Sequence, residues 1–370
     1  MPMLCNSKHV FPGSNTPSGF YSYYDNIISQ ENANKIFIIK GGPGTGKSSF
    51  MKKIANHFAD QKIDVEYHHC SADPGSLDAI VIVPAGVAII DGTFPHVVDT
   101  QAPGAIDEII NFSPYWNEKE IRSNKSMIIQ TNANRKSLFS RSYCYLGAAK
   151  QVYDAYAKSQ SSALNHKSFY NMEQSILENI FEAYMSSNPN VIHHSGHSRH
   201  LFGSAITPDG FIDHLHTIIG KTKRVYTIKD APGASASNLM NLIVAKSIGL
   251  GLDIECFHSP ISYENIEDII IPKLDIAITV SNDYHKAKIV PTHVFDLKGC
   301  FIANNLAEIA PDLTCDKALM DQLFNRGIAT LLQAKEQHNI LESYYIPHVR
   351  FDDMNPIIES VISQIESFLQ

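Results

Sequence analysis

The residues of this chain that best fit a chemical role are glycines, a lysine and hydroxyl side chains clustered in one short segment. The segment, called the first loop, reads Gly41, Gly42, Pro43, Gly44, Thr45, Gly46, Lys47, Ser48 and Ser49. Glycines let successive backbone N–H groups turn toward one anion, and a following helix adds its positive end. At this spacing we expect Lys47 to reach the terminal phosphates of a nucleotide and the Ser48 hydroxyl to bind Mg²⁺. The first loop therefore predicts a phosphate-binding site.

A carboxylate is expected beside the first loop to support the magnesium ion. Asp91 ends the apolar run at residues 87–90 and fits that metal-supporting, catalytic role. The alternative is that Asp91 caps the next turn, which Gly92 favours. Because Gly92 rather than a glutamate follows Asp91, no neighbouring residue is placed to orient an attacking water. The sequence therefore disfavours fast, motor-type hydrolysis.

The chain contains an internal repeat. An offset of 189 residues aligns Gly41 with Asp230, and without a gap it also aligns Ser48 with Ser237, Met51 with Met240, Ile54 with Ile243 and His69 with His258. Farther along, an offset of 185 aligns Phe139, Arg141 and Lys150 with Phe324, Arg326 and Lys335. Matches in the same order indicate two copies of one unit. We predict domains at residues 1–188 and 191–370, joined by a polar linker that contains Pro189.

The second copy departs from the first where phosphate and metal would bind. Ser235 replaces Gly46, Ala236 replaces Lys47, and Val280 replaces Asp91. Asp230 also brings a negative charge to the place where phosphate would lie, and the lost lysine removes a positive one. We therefore expect one nucleotide site, in the first copy. The aligned residues 230–238, called the second loop, are interpreted as a degenerate site that leaves room for a smaller or less anionic ligand.

Apolar runs and helical spacing place these motifs in an α/β fold. Strands are predicted at residues 35–40, 63–69 and 86–91, with counterparts at 225–229, 252–258 and 274–280. Apolar residues at helical spacing predict helices near residues 145–156, 176–184 and 358–369. Strands alternating with helices predict a parallel sheet in each copy, with ligands beyond the carboxyl ends of the strands.

Two arginines and several histidines recur in both copies. Arg141 could serve as a lid residue within its own half, or Arg326 as a finger from the other half, at a transferred phosphoryl group. The alternative is a pair of solvated or salt-bridged cations. The recurring histidines are His9 with His200, His69 with His258, and His96 with His285 or His293. Their spacing does not indicate a metal site, so structural hydrogen bonding is the favoured interpretation.

Composition narrows the classes of partner. The 370 residues are 44% hydrophobic and 18% charged, which is typical of a globular protein. The formal net charge of −8 makes nucleic acid an unlikely partner and gives no support for a membrane surface. The six cysteines lack paired spacing and no signal pattern or membrane-length apolar run is present, so we expect a cytoplasmic protein.

The sequence resembles bacterial ATP-binding proteins made of two tandem P-loop units, the second degenerate. The resemblance covers essentially the whole chain and rests on the first loop, on residues 66–70 and on residues 91–96. It implies a tandem duplication of a P-loop NTPase unit with a nucleotide-kinase-like fold, and binding of ATP with Mg²⁺. Because this family is largely uncharacterised, it implies no substrate.

Two functional hypotheses follow from these patterns. The first is a phosphotransferase or slow NTPase that acts on an unknown small molecule or nucleotide as acceptor. The second is a nucleotide-gated interaction module in which the degenerate second copy binds a protein partner. No acceptor-binding motif is recognisable in the sequence.

Overall fold

The protein has the predicted α/β fold in the computed structural model, which describes residues 7–94, 97–188, 194–231 and 236–370. Strands in the first half, up to residue 188, are β1 (Lys8–Val10), β2 (Gly13–Thr16), β3 (Gly19–Ser22), β4 (Lys35–Lys40), β5 (Val65–His69), β6 (Leu77–Ile82), β7 (Val87–Asp91) and β8 (Asp107–Asn111). Helices there are α1 (Lys47–Asp60), α2 (Glu118–Ser123), α3 (Lys125–Ser161) and α4 (His166–Ser187).

The second half, from residue 194 onward, contains a corresponding series. Its strands are β9 (Ser198–Leu201), β10 (Ser204–Thr207), β11 (Gly210–Asp213), β12 (Arg224–Lys229), β13 (Ile254–His258), β14 (Ile266–Ile271), β15 (Ile276–Ser281) and β16 (His293–Asp296). Its helices are α5 (Leu215–Ile218), α6 (Ala236–Gly249), α7 (Ala303–Ser343) and α8 (Asn355–Ser367). The strands predicted in both copies are therefore present, within about two residues at each end.

The two six-stranded sheets have matching strand orders. The order β1-β5-β6-β7-β4-β8 corresponds, strand for strand in the internal alignment, to β9-β13-β14-β15-β12-β16. The prediction of parallel sheets is only partly right, because β6 and β14 run antiparallel to both of their neighbours. Residues 70–76 and 83–86, which flank β6, are too few for the crossover that parallel strands require.

A third sheet and a helix pair join the halves. Strands β2 and β10 pair antiparallel through Asn15 and Ile206, giving the order β11-β10-β2-β3. Helices α3 and α7 pack side by side, and the Ser142 hydroxyl donates to the Gly327 carbonyl at 2.8 Å. A Cβ added to Gly327 would lie 2.6 Å from the Leu146 side chain, so the close approach of these helices requires glycine.

Each six-stranded sheet is covered by a helix from the other half of the chain. Val361 and Ile365 of α8 are buried in the same core as Phe37 of the first sheet. Ile176 and Phe181 of α4 are buried in the core of the second sheet. The limits at residues 188 and 191 stay a prediction, and the two hydrophobic cores cross them. Pro189 of the predicted linker lies outside the described residues.

Candidate nucleotide site

A cavity of about 1080 Å³ opens against the first loop. Its walls come from the first loop, the β2–β3 hairpin, the middle of α3 and the carboxyl-terminal part of α7. Residues at or just beyond the carboxyl ends of β5 and β7 also line it, as expected for a ligand site in an α/β sheet. Both halves of the chain therefore build this one cavity.

The backbone of the first loop is shaped for an anion. Gly44 and Gly46 have φ angles of 65° and 89°, which glycine adopts without strain. Helix α1 begins at Lys47, and its first residues line the cavity, so the positive end of the helix adjoins it. The Thr45 hydroxyl donates to the Gly42 carbonyl at 2.8 Å, and Lys47 Nζ donates to the same carbonyl at 2.7 Å. These bonds close the loop around its lysine.

The strand order brings the predicted metal carboxylate to the loop, because β4 and β7 are parallel neighbours. Asp91 Oδ2 lies 3.6 Å from Lys47 Nζ, while Asp91 Oδ1 accepts the Thr93 N–H at 2.9 Å. Asp91 therefore caps a turn and faces the lysine as well. The Ser48 hydroxyl oxygen accepts the Leu77 N–H at 3.0 Å and lines the same cavity. Hydroxyl and carboxylate oxygens are ligands that Mg²⁺ prefers, so these residues fit that ion.

A second carboxylate, which the sequence analysis did not identify, lines the cavity. Asp78 lies in β6 and is only 4% exposed. The next residue of β6, Ala79, pairs with Ile90 of β7, so Asp78 and Asp91 are at neighbouring positions of the sheet. Burial, and then the charge of Asp78, raises the pKa of the Cys70 thiol well above its usual value. The available signal was an aspartate within an apolar strand.

Cations from α3 and α7 line the cavity across from the sheet. An Arg135 Nη1–H lies 3.0 Å from His338 Nδ1, and the Lys335 ammonium pairs with Asp73 at 3.0 Å. Lys136 is exposed and also lines the cavity. Lys335 was named from the sequence as a recurring cation, whereas Arg135 and Lys136 were not.

The internal alignment contains the signal that would have found these two cations. At the offset of 185, Met320 stands in place of Arg135 and Asp321 in place of Lys136. Neither cation is therefore present at the aligned position of the second half, and the same is true of Lys47 of the first loop.

Arg141 and Arg326, the predicted lid and finger residues, do not line the cavity. They lie on α3 and α7 at the same side chain, with guanidinium carbons 5.9 Å and 5.8 Å from the centre of the Tyr145 ring. Hydrogen bonding to Arg326 and to Arg141 holds the pKa of Tyr145 below its usual value. The structure thus brings the two arginines together, but on an exposed part of the helix pair.

A segment of the second half covers the first loop. Residues 345–354, here called the strap, connect α7 to α8. A Cβ added to Gly44 would lie 2.8 Å from an Ile346 side-chain carbon, and one added to Gly46 would lie 3.1 Å from the Phe351 ring. These glycines therefore serve both the left-handed backbone and the close packing of the strap.

The second loop contains a carboxylate of its own at the corresponding place. Asp230 is 5% exposed, and its two oxygens accept the Ala231 N–H at 2.8 Å and the Ala236 N–H at 2.9 Å. Ala236 is the first residue of α6, so a side-chain anion lies at the helix end where phosphate would bind. Ser235 lies outside the described residues.

Four residues of the second half that align with lining residues of the cavity are buried. Tyr153, Tyr156, Met320 and Phe324 belong to one buried cluster. In the internal alignment they correspond to His338, Leu341, Arg135 and Phe139, all of which line the cavity. Side chains at these four positions therefore pack together in one half and line a cavity in the other.

The recurring histidines form hydrogen-bonded pairs. His9 Nδ1 lies 2.8 Å from His69 Nε2, and His200 Nδ1 lies 2.8 Å from His258 Nε2. The His214 ring packs against His69 with 4.4 Å between ring centres. Burial is the main cause that lowers the pKa of His69 to about 3 and of His214 to about 4. In the described part of the chain, no group of three or more His, Cys, Asp or Glu could hold a metal ion.

The remaining recurring histidine has an ambiguous counterpart. His96 lies outside the described residues. His285 is buried with Nε2 3.0 Å from Asp268 Oδ1 and Nδ1 3.2 Å from Glu267 Oε2. Burial alone would lower its pKa, but these carboxylates raise the pKa of His285 to about 10. His293, in contrast, is exposed and stacks on Tyr226.

Comparisons of the chain with protein-family models, curated proteins and solved structures gave no match. Among the described residues, no helix is both long and apolar enough to cross a membrane.

Proposed function

We propose that this protein binds one ATP with Mg²⁺ at the first loop and acts there as a nucleotide-kinase-like phosphotransferase or slow NTPase. The observation that carries the proposal is the meeting of Lys47 and Asp91, 3.6 Å apart, at the edge of the cavity that Ser48 also lines. A lysine, a hydroxyl and a carboxylate at a glycine loop are the parts that P-loop enzymes share. A glycine turn without a phosphate-binding role would not require a lysine, a hydroxyl and a carboxylate beside it.

The residues of the chain have separate parts in this proposal. Backbone N–H groups of the first loop and the start of α1 bind phosphate oxygens, and Lys47 leaves its carbonyl partner to meet the terminal phosphates. Ser48 and Asp91 hold the magnesium ion, which neutralises charge on the transferred group. Among the described residues that line the cavity, Arg135 is the one arginine, whereas Arg141 and Arg326 do not line it.

Transfer to an acceptor is favoured over fast hydrolysis. The cavity of about 1080 Å³ is at the upper end of the range for small-molecule sites, roughly 300–1,000 Å³. It therefore has room for a second molecule beside the nucleotide. Gly92 follows Asp91, and this position offers no carboxylate to orient a water.

We further propose that the chain is a tandem duplication of one P-loop unit. The matching strand orders of the two sheets and the internal alignment support it. In the second copy the lysine and the metal carboxylate are replaced, and Asp230 lies at the helix end. A triphosphate would meet negative charge there and no lysine, so nucleotide binding is expected in the first half alone.

Calorimetric titration with Mg-ATP tests the nucleotide site. Lys47→Ala should weaken binding at least about 100-fold, because a charged contact to phosphate is lost. Lys53→Ala is a matched control, since Lys53 is an exposed lysine on the same helix and does not line the cavity. Undiminished binding in Lys47→Ala, with folded protein, would contradict the proposal.

A second candidate function is supported by one observation, the packing of the strap on the first loop. Nucleotide bound at Gly44 and Gly46 would adjoin Ile346 and Phe351, which belong to the second half. A nucleotide-gated interaction module would use this contact to signal occupancy to a protein partner. Acceptor-dependent ADP release, screened over nucleosides, nucleotides and small metabolites, separates the two functions because the module alone would release none.

A further inference from the structure

We infer that the cavity contains a second anion subsite at Arg135, which binds the phosphate group of a phosphomonoester acceptor. The inference rests on the proposed function, because it assigns the molecule that receives the phosphoryl group. The class of the acceptor is defined by its charge and its size.

Arg135 lacks an anionic partner in the cavity. Its side chain lines the cavity, and its Nε is buried without a hydrogen-bond partner. The guanidinium Nη1 lies 3.0 Å from His338 Nδ1, and among the described residues no carboxylate forms an ion pair with it. A half-buried guanidinium without an anion is costly, and its planar fork matches the oxygens of a phosphate. The missing anion is therefore expected to come from a ligand.

A contact with His338 on α7 orients the Arg135 side chain. His338 Nε2 lies 3.5 Å from Glu342 Oε1, so a carboxylate orients the ring whose other nitrogen accepts from Arg135. Glu342 and His338 lie one turn apart on α7, whereas Arg135 lies on α3. The second half of the chain thus positions an arginine in the cavity of the first half. His338 is in this sense a positioning residue.

The place of Arg135 along the sheet separates it from the nucleotide phosphates. Arg135 contacts His338, which lies one turn of α7 from Lys335. Lys335 in turn pairs with Asp73, just beyond the end of β5. Strand β5 is two strands from β7, or about 10 Å, because neighbouring strands lie about 4.8 Å apart. Lys47 and Asp91 are at the β7 end, so Arg135 marks a separate anion position.

The charge and the span define the acceptor. Lys136 also lines the cavity, with its ammonium 5.4 Å from the centre of the Phe94 ring. Two cations in the cavity suit a group that carries nearly two negative charges at neutral pH, as a phosphomonoester does. Both cations are absent at the aligned positions of the second half, Met320 and Asp321. The acceptor then carries a phosphate that binds at Arg135 and a separate reacting oxygen that faces the first loop, as a sugar phosphate or a nucleoside monophosphate can.

Calorimetry on the full chain tests this subsite. With the first loop saturated by Mg²⁺ and a non-hydrolysable ATP analogue, the titrants are inorganic phosphate, ribose 5-phosphate and ribose. We expect one phosphate-bearing probe to bind per chain and ribose to bind at least 10-fold more weakly. Arg135→Met, which installs the residue of the aligned position, should weaken ribose 5-phosphate at least 10-fold and leave the ATP analogue unchanged. Arg141→Met on the same helix is the control.

Two outcomes overturn the inference. One is unchanged ribose 5-phosphate binding in folded Arg135→Met, and the other is loss of the ATP analogue in that variant, which would assign Arg135 to the nucleotide. If the wild type fails to bind the analogue, the proposed function fails separately. The subsite is then tested by comparing phosphate binding in Lys47→Ala with phosphate binding in the double variant that also carries Arg135→Met. Weaker binding in the double variant supports the subsite, and equal binding in the two variants overturns it.

Discussion

The Asp230 carboxylate accepts the backbone N–H of Ala236, with 2.9 Å between Oδ2 and the nitrogen. Ala236 occupies the position of the first-loop lysine in the internal alignment, and it begins α6. The second half therefore satisfies the positive end of its helix with a side chain, whereas the first half leaves that end facing a cavity. One difference in charge thus separates a helix end capped by a side chain from a helix end that faces a cavity.

Removing the Asp230 carboxylate should destabilise the protein. Asp230→Ala leaves the N–H groups of Ala231 and Ala236 without this acceptor, and a buried unsatisfied group costs about 1–3 kcal/mol. We expect the free energy of unfolding in urea to fall by about 2–4 kcal/mol, since two bonds are lost. Asp312→Asn, at an exposed position of α7, is the control and should change it little. An unchanged free energy in Asp230→Ala would show that the carboxylate does not cap the helix.

Acid should weaken the packing between the halves before it protonates most carboxylates. The folded-state pKa values of His69 and His214 are about 3 and about 4, below the ordinary 6.5 of an unfolded histidine. The unfolded chain therefore binds more protons from pH 6.5 down to about 4, and stability falls as pH falls through that window. Each histidine should contribute about 2 kcal/mol of loss between pH 7 and pH 5.

The measurement is the free energy of unfolding at several pH values. His69→Gln should flatten the dependence on pH even if it lowers stability throughout, because one titrating group is gone. His166→Gln, which changes an exposed histidine, should leave the slope as in the wild type. A wild-type stability that stays constant from pH 7 to pH 5 would contradict the buried, neutral state of these rings.

The recurring arginines should not contribute to nucleotide binding. Arg141 and Arg326 lie at Tyr145 and outside the cavity, so Arg141→Ala and Arg326→Ala should keep the dissociation constant for Mg-ATP within about 2-fold of the wild type. A 10-fold loss in either variant, with the fold intact, would restore the lid or finger role suggested by the sequence.

The proximity of Lys47 and Asp91 was easier to anticipate from the sequence than the architecture was. The spacing of the first loop and the carboxylate that ends an apolar run depend on local chemistry, so both residues could be named as candidates, and their role toward a nucleotide stays a prediction. The antiparallel direction of β6 depends on the short connections around it, which the apolar run alone does not reveal. The placement of α8 on the first sheet depends on long-range packing of Val361 and Ile365. No local pattern contains that information.

Recurrence in both halves does not by itself identify the cations of the cavity. Lys335 recurs and lines the cavity, whereas Arg141 and Arg326 recur and lie outside it, and their role stays a prediction. Arg135 does not recur, since Met320 stands at the aligned position, yet it lines the cavity. Which cation lies there depends on the packing of α3 against α7, which the sequence pattern does not reveal.

The most direct test of the magnesium-nucleotide site at the first loop is calorimetric titration with ATP. The stoichiometry and the affinity are measured with and without Mg²⁺, in the wild type and in Asp91→Asn. Asp91 faces Lys47 at 3.6 Å, whereas Asp99 is 85% exposed and serves as the Asp99→Asn control. We expect one ATP per chain, tighter with Mg²⁺, and a magnesium effect reduced at least about 10-fold in Asp91→Asn alone. Two equivalent sites per chain, no binding, or an undiminished magnesium effect in folded Asp91→Asn would contradict the proposed site.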